Sequence, residues 1–444
     1  MAGRTVLAVG ALASVALPVA LLQSAPHQQA AGLAALAAAA FCTAVAATRG
    51  TTALAAMIFT VAVLLLPLNG IRQGAVAAAD VFLVAAALLA LPQARLGSAI
   101  RNLPLRFLLG VYLFVLAGLL GSLAAGGVGM GNFVRLVVTM TAMIFGVLLW
   151  QPDLARVRML ATAWLVGNTV SVLAALATLA TLPVWARPKG LTTHPNAFGL
   201  LCALSVGFAL FLHSAARGSR DRAAAVVFGA AAGVGIALSG SRAAVLAVAV
   251  VVIARIALDG RIGTALVAAS GIGIGWVLLL EVAAQLPPTS APHRLLYPSA
   301  SVEASDSERL GRLRDSVEAV QQHPWFGSGF AEATAAHNVF FQVAVAAGLV
   351  GAAGFVLAVL PTFSGLRRRT PEPYRWLGLL PLTYFTAAMV ANNLWDRYVW
   401  FCLALGMLAA ARSAPDRDDG PQRPRGPEGA EPGPLPLSAA LPGR

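Results

Sequence analysis

The sequence predicts an all-α polytopic membrane protein, and three observations carry that expectation. Of its 444 residues 58% are hydrophobic and 11% charged, with mean hydropathy +0.78, a balance outside the range of soluble globular domains. Apolar runs of 17 or more residues recur along the chain, each long enough to cross about 30 Å of hydrocarbon as a helix. The pattern lacks the alternation of a barrel strand, and backbone groups in lipid must be satisfied within the segment, so only helices suit. Against this background a polar stretch from about 286 to 336 stands out as the only sizeable loop.

Spans are expected at 5–22, 30–47, 52–68, 75–92, 105–125, 132–150, 158–182, 197–214, 223–238, 241–257, 263–284, 338–362, 376–391 and 398–411. That makes 12 to 14 helices and one transmembrane domain over 1–411, with a large extracytoplasmic loop at 285–337. An even count puts both termini on one side. The first run, flanked by Arg4, resembles a signal peptide with cleavage near Ser24 or Ala25. An uncleaved helix is preferred, because its removal would upset the arginine sorting.

Orientation follows from that sorting. With the N-terminus inside, the cytoplasmic turns hold Arg49, Arg95 and Arg101, Arg156 and Arg158, then Arg217, Arg220 and Arg222, then Arg261, and Arg367 to Arg369. Four exceptions lie on the opposite face: Arg72, the segment from Arg187 to Lys189, Arg242, and the arginines of the long loop. Such cations either snorkel or hold a ligand. The net charge of +13 is otherwise accounted for by flanks beside anionic lipid headgroups, and no nucleic-acid module is visible. Residues 412–444, rich in Pro, Gly, Arg and Asp, are expected to form a disordered cytoplasmic tail.

Within the spans, Asp80 and Arg135 lie at matched depth near the outer boundary. They either neutralise each other, or Arg135 faces a ligand while Asp80 orients it. Cys42, Cys202 and Cys402 fall in separate spans, which indicates neither a disulfide framework nor a zinc site. His194-Pro195-Asn196 opens the eighth span, with unpaired amides directed at the outer surface. That cluster reads equally as a plain helix start or as part of a substrate site.

Ser239-Gly240-Ser241-Arg242 makes a tight outer turn that leaves Arg242 at membrane depth. Desolvating a guanidinium there costs up to about 3 kcal/mol at the span centre, which a bound anion would offset, and the planar fork of Arg suits phosphate. In the long loop, Ser305-Asp306-Ser307-Glu308 has the spacing of a capping box, followed by Leu310, Leu313, Val317 and Val320 at helical intervals. An amphipathic helix lying on the membrane surface is expected, with Arg309 nearer the apolar stripe than Arg312 and a stop at His323-Pro324. Trp325 and Phe326 then anchor the chain at the interface. His337 and Asn338 open the next span, which places a proton acceptor beside these cations, and the turn from Asn392 to Tyr398 closes the outer surface.

Taken in order, these elements resemble the O-antigen ligase and polymerase superfamily of bacterial membrane glycosyltransferases. The shared set is His-Pro-Asn before a span, Ser-Gly-Ser-Arg in an outer turn, and a large loop with Ser-Glu-Arg. It continues with His-Pro-Trp-Phe-Gly-Ser-Gly-Phe, then Ala-His-Asn before a span that contains Ala-Gly-Leu-Val-Gly. The resemblance covers about residues 185 to 362, and the N-terminal half matches only as a hydrophobic scaffold.

The resemblance implies a GT-C-like fold in the bacterial inner membrane. It implies transfer of a glycan from an undecaprenyl-diphosphate carrier to a lipid, glycan or protein hydroxyl acceptor, without metal or cofactor. Arg242 and Arg309 match the arginines that hold the donor diphosphate, and His337 matches the proposed catalytic base. Arg135, Asp80, His194, Asn196, Ser241, Arg312 and Asn338 are candidates for supporting roles. With no carboxylate pair to form a glycosyl intermediate, a single inverting displacement is expected, and the first outer turn, 23–29, offers no Asp or Glu for a metal. Ligase, polymerase and protein-transfer activities share all these elements. A different class, transport of an anion such as bicarbonate, would require polar groups near the midplane, where apart from Asp80 few are found.

Overall fold

Among the described residues the apolar runs fold as helices. The computed structural model describes residues 50–73, 76–90, 103–179, 181, 187–260, 262–286, 291–297, 300–331, 336–391 and 393–412. The two N-terminal spans and nearly all of the tail expected at 412–444 therefore lie outside the described residues.

Helix α1 (Thr51–Leu65) runs through a 3-10 turn into a hairpin of two-residue strands, β1 (Arg72–Gln73) and β2 (Val76–Ala77), and then into α2 (Ala78–Ala90). Next come α3 (Leu105–Ala125), α4 (Gly127–Trp150), α5 (Leu154–Thr178), α6 (Pro195–Ser214), α7 (Ser219–Ser239), α8 (Arg242–Asp259) and α9 (Ile262–Gln285). The large loop carries α10 (Ala291–Leu296) and α11 (Ala300–Gln322). Helices α12 (Val339–Val359), α13 (Leu379–Ala388) and α14 (Arg397–Ala411) complete the fold.

Twelve of the expected spans thus meet a helix among the described residues, but only seven segments are long and apolar enough to cross a bilayer. The shortfall has a physical reason in α13 and α14. They have 10 and 15 residues, roughly 15 and 22 Å at 1.5 Å per residue, and their side chains are almost all buried. Most of their side chains pack against protein, the setting in which interrupted helices are tolerated in a membrane.

The bundle is built around α6, whose apolar window is 78% buried against 28% for α7. Trp164 of α5 stacks on Phe401 of α14 with centroids 6.0 Å apart and packs on Phe208 of α6 at 4.9 Å, while its indole N–H donates to Ser205 Oγ at 2.9 Å. Small residues let α3 and α12 touch backbone to backbone, since a Cβ on Gly110 would sit 2.4 Å from Ala358 N.

Gly348 breaks α12 with φ +64°. The amides of Leu349 and Val350 donate to Pro324 O (2.7 Å) and Trp325 O (3.4 Å), and Val345 and Ala346 carbonyls accept from Ser328 N (2.8 Å) and Gly329 N (3.0 Å). The His-Pro-Trp-Phe-Gly-Ser-Gly segment is therefore docked on the break, which fixes the C-terminal end of the large loop.

Two expectations are corrected here. The capping-box pattern at Ser305-Asp306-Ser307-Glu308 does not begin a helix, because α11 starts at Ala300 and those residues lie inside it. Asp306 is turned to arginines instead of to a backbone amide. The partner of Asp80 is Arg397, not Arg135: the first residue of α14 donates from Nη2 to Asp80 Oδ2 at 2.5 Å, and Ala77 N donates to the same oxygen at 2.8 Å. Leu310, Leu313 and Val317 of α11 are exposed, as the apolar stripe of a surface-lying helix would be.

Candidate active site

The site grows from three helix starts at one end of the bundle. Before α6, Gly190 turns the chain at φ +56° and His194, in extended conformation, caps the helix by accepting the Asn196 amide on Nδ1 at 3.1 Å. Pro195 occupies the first turn, where it needs no amide partner. Arg187 ties this start to the end of α7, donating from Nε to Ser239 O at 2.7 Å and from Nη2 to Asn196 Oδ1 at 2.8 Å.

Between α7 and α8, Gly240 reverses the chain at φ +56° and Ser241 caps α8 through the Ala244 amide. Gly199 of α6 lies under this turn so closely that a Cβ there would meet Ser241 Cβ at 2.6 Å. The turn aims Arg242, the first residue of α8, at α11. There its guanidinium forms an ion pair with Asp306, whose carboxylate also lies 3.7 Å from Arg309.

These elements border a solvent-open cleft whose lining includes Arg187, Arg242, Arg294 and Arg309. Asn196 and Ser241 add polar groups, and Leu200 and Val390 part of an apolar wall. Burial, followed by the fields of Arg294, Arg309 and Arg242, lowers the Arg187 pKa to about 10. It stays cationic at neutral pH, but against resistance. Four guanidinium groups thus crowd one cleft, and the carboxylate paired with two of them is Asp306.

His337 stands just before α12, whose start is capped by Asn338 through the amides of Phe340 (2.9 Å) and Phe341 (3.2 Å). The Asn338 amide group also donates to Met389 O at 3.0 Å, tying α12 to the end of α13. His337 is half-buried and does not line the arginine cleft, but it lies within electrostatic range of Arg309, which does. Burial first, then Arg312 and Arg309, push its imidazole pKa below the ordinary value, with Glu308 opposing. The imidazole is therefore neutral at pH 7 and able to accept a proton. Arg312 is pinned by Glu308 at 2.7 Å on the same helix. His194 is held low in the same sense, by burial first, then by Arg187 and His337.

The sequence-derived residues therefore divide. Arg242, Arg309, Ser241 and Asn196 share the first cleft, with His337, His194 and Arg312 nearby, whereas Arg135, Arg397 and Asp396 line a second cleft, against which Asp80 is held by its pair with Arg397. Arg187 and Arg294 were not singled out as ligands from the sequence, although both belonged to the cations that break the arginine sorting.

Residues 224–356 match the family model of O-antigen ligases. The matched stretch begins within α7 and ends within α12, so it contains Arg242, Arg294, Asp306, Arg309 and His337, while Arg187, His194 and Asn196 precede it. This supports the superfamily resemblance read from the ordered motifs, and with it an integral membrane protein of O-antigen ligase or polymerase type acting on glycans. No curated protein matches the chain.

Asp306 occupies the position an incoming anion would take between Arg242 and Arg309. Replacing it by Asn removes a competing charge while keeping the size, so inorganic pyrophosphate should bind Asp306→Asn roughly fivefold more tightly, on the order of 1 kcal/mol. Calorimetric titration of the purified protein reads this directly, and unchanged or weaker binding would show that Asp306 positions the arginines instead of competing for them.

Proposed function

We propose that the protein transfers a glycan from a polyprenyl-diphosphate carrier to a hydroxyl acceptor at the extracytoplasmic surface of the bacterial cytoplasmic membrane. The observation that carries this reading is the convergence of four arginines on one cleft beside a half-buried histidine held in its neutral form. A diphosphate is the leaving group that such a cleft suits, since it presents several charged oxygens to guanidinium forks. Arg156 and Arg158 lie in the first turns of α5, Arg217, Arg220 and Arg222 at the start of α7, and Arg367 to Arg369 after α12, which supports a cytoplasmic placement of those turns by the positive-inside rule.

In the proposed reaction the acceptor oxygen attacks the anomeric carbon, and His337 takes the hydroxyl proton as the new C–O bond forms. The bond between the anomeric carbon and the diphosphate breaks, its electron pair staying on the phosphate oxygen. Arg242 and Arg309 leave Asp306 to neutralise that charge, with Arg187 and Arg294 completing the cradle. One displacement inverts the configuration. Stabilising charge that develops on the departing group is the larger electrostatic task, and the base contributes on the order of 10² to 10⁴ in rate.

With purified protein, a polyprenyl-diphosphate-linked glycan and an acceptor, His337→Ala is expected to lower kcat by about 10² or more, and Arg242→Ala to abolish measurable transfer. Arg242→Lys should also be impaired, because a point charge does not reproduce the fork. Full activity of His337→Ala in correctly folded protein would remove this mechanism.

The pH profile offers an independent check. Because the His337 pKa is lowered, its base form persists as pH falls through about 6.5, where an ordinary imidazole gains its proton. The acid limb of kcat/KM is therefore expected below that value. Glu308→Gln removes the contribution that raises the pKa and should move the limb further to the acid side, whereas Arg312→Gln should move it toward neutral pH. Shifts in the opposite directions would mean that another group sets the limb.

A further inference from the structure

A second charged cleft, open to solvent, lies at the same end of the bundle, with Arg72, Arg135 and Arg397 in its lining together with Asp396, Tyr398 and Asn69. Its charges are not all spoken for. Arg397 is paired with Asp80, and Asp396 accepts the Tyr398 hydroxyl at 2.6 Å. Arg72 and Arg135 are exposed and form no ion pair among the described residues. Opposite them, Asn69 Oδ1 is buried without a hydrogen-bond partner. The cleft therefore offers two guanidinium donors in search of an anion, together with acceptor oxygens on Asn69 and Asp396 that suit hydroxyl donors. A group that satisfies both is an anionic, polyhydroxylated one.

The connection to the first cleft runs through a single short segment. Thr193 lines the second cleft and Asn196 the first, and between them in the chain stands His194, within electrostatic range of His337. The segment is rigidly seated: Gly70 N donates to Leu191 O at 2.9 Å, and a Cβ on Gly70 would lie 2.8 Å from the Leu191 and Thr192 backbone. Leu191 N in turn donates to Ser171 Oγ at 3.0 Å.

We propose that this second cleft is the acceptor subsite and that it takes a saccharide bearing a carboxylate or phosphate, held by Arg72 and Arg135 with its hydroxyls on Asn69 and Asp396. The inference rests on the glycan-transfer reading for the word acceptor, but the binding of an acidic saccharide does not. Removing Arg72 or Arg135 breaks no ion pair, unlike removing Arg397, whose loss would leave Asp80 unpaired.

The test measures binding of tetragalacturonate and of neutral maltotetraose to full-length protein in phosphatidylcholine nanodiscs, with Arg72→Gln and Arg135→Gln alongside. Tetragalacturonate is expected to bind each arginine variant roughly tenfold more weakly than wild type, with maltotetraose much weaker throughout. Equal binding of the two saccharides, or no loss in either arginine variant, overturns the proposal. A third arm repeats the titration with phosphatidylglycerol in the nanodiscs. If phosphatidylglycerol displaces the saccharide fully and its own binding depends on Arg72 and Arg135, the cleft is a lipid-headgroup site and the proposal is also overturned.

The kinetic arm separates this inference from the reading beneath it. With an acidic acceptor, Arg135→Gln should raise the acceptor KM about tenfold and leave the donor KM unchanged. If transfer is absent in wild type while tetragalacturonate binding still depends on Arg72 and Arg135, the glycan-transfer reading fails and the site stands. If transfer proceeds but the variants change neither acceptor KM nor binding, the site fails and the transfer reading stands.

Discussion

Everything at the loop end of the bundle depends on holding like charges together. Arg187, Arg242, Arg294 and Arg309 line one cleft, where burial first and then the fields of the other three lower the pKa of Arg187 to about 10. Repulsion among fixed cations of this kind is relieved only by an anion. In the free protein that anion is Asp306, bound to Arg242 and within 3.7 Å of Arg309. The carboxylate carries one charge where a diphosphate would bring more, and on that ground we propose the diphosphate as the ligand of the cleft.

The surrounding fold serves this arrangement by spending its backbone on turns and caps. Helices α6, α8 and α12 each start at the site behind a residue whose side chain accepts a first-turn amide: His194, Ser241 and Asn338. Those same residues were candidates for supporting roles, and their hydrogen bonds give them a positioning task. The break at Gly348 has the same logic, since the carbonyls and amides it frees are taken up by residues 324–329. The large loop is thereby fastened at its C-terminal end, while the ion pair of Asp306 with Arg242 fastens α11 to α8.

How much of this could be read from the residues depends on the range of the interaction. Helix positions were legible because hydropathy is local: α3, α6 and α12 begin within two residues of the expected spans. The arginines that broke the charge sorting were legible for the same reason, and Arg187, Arg242, Arg294 and Arg309 do meet at one cleft. Pairings across the bundle were not. Asp80 finds Arg397, 317 positions away, and no spacing rule connects them. The capping-box pattern at Ser305 misled because the local signal competes with a long-range one, and Asp306 forms its contact with α8. The shortness of α13, a helix of 10 residues where a span at 376–391 was expected, was hidden in a similar way, since only packing decides whether an apolar helix faces lipid or protein.

The central claim is that the arginine cleft exists to receive a lipid-linked diphosphate, and direct binding tests it without reference to turnover. A short-chain polyprenyl diphosphate titrated into the purified protein and followed by phosphorus NMR should bind saturably and weaken as salt is raised. It should lose about a hundredfold or more in affinity in Arg242→Gln/Arg309→Gln. An affinity that is the same in wild type and in that double variant would contradict the account.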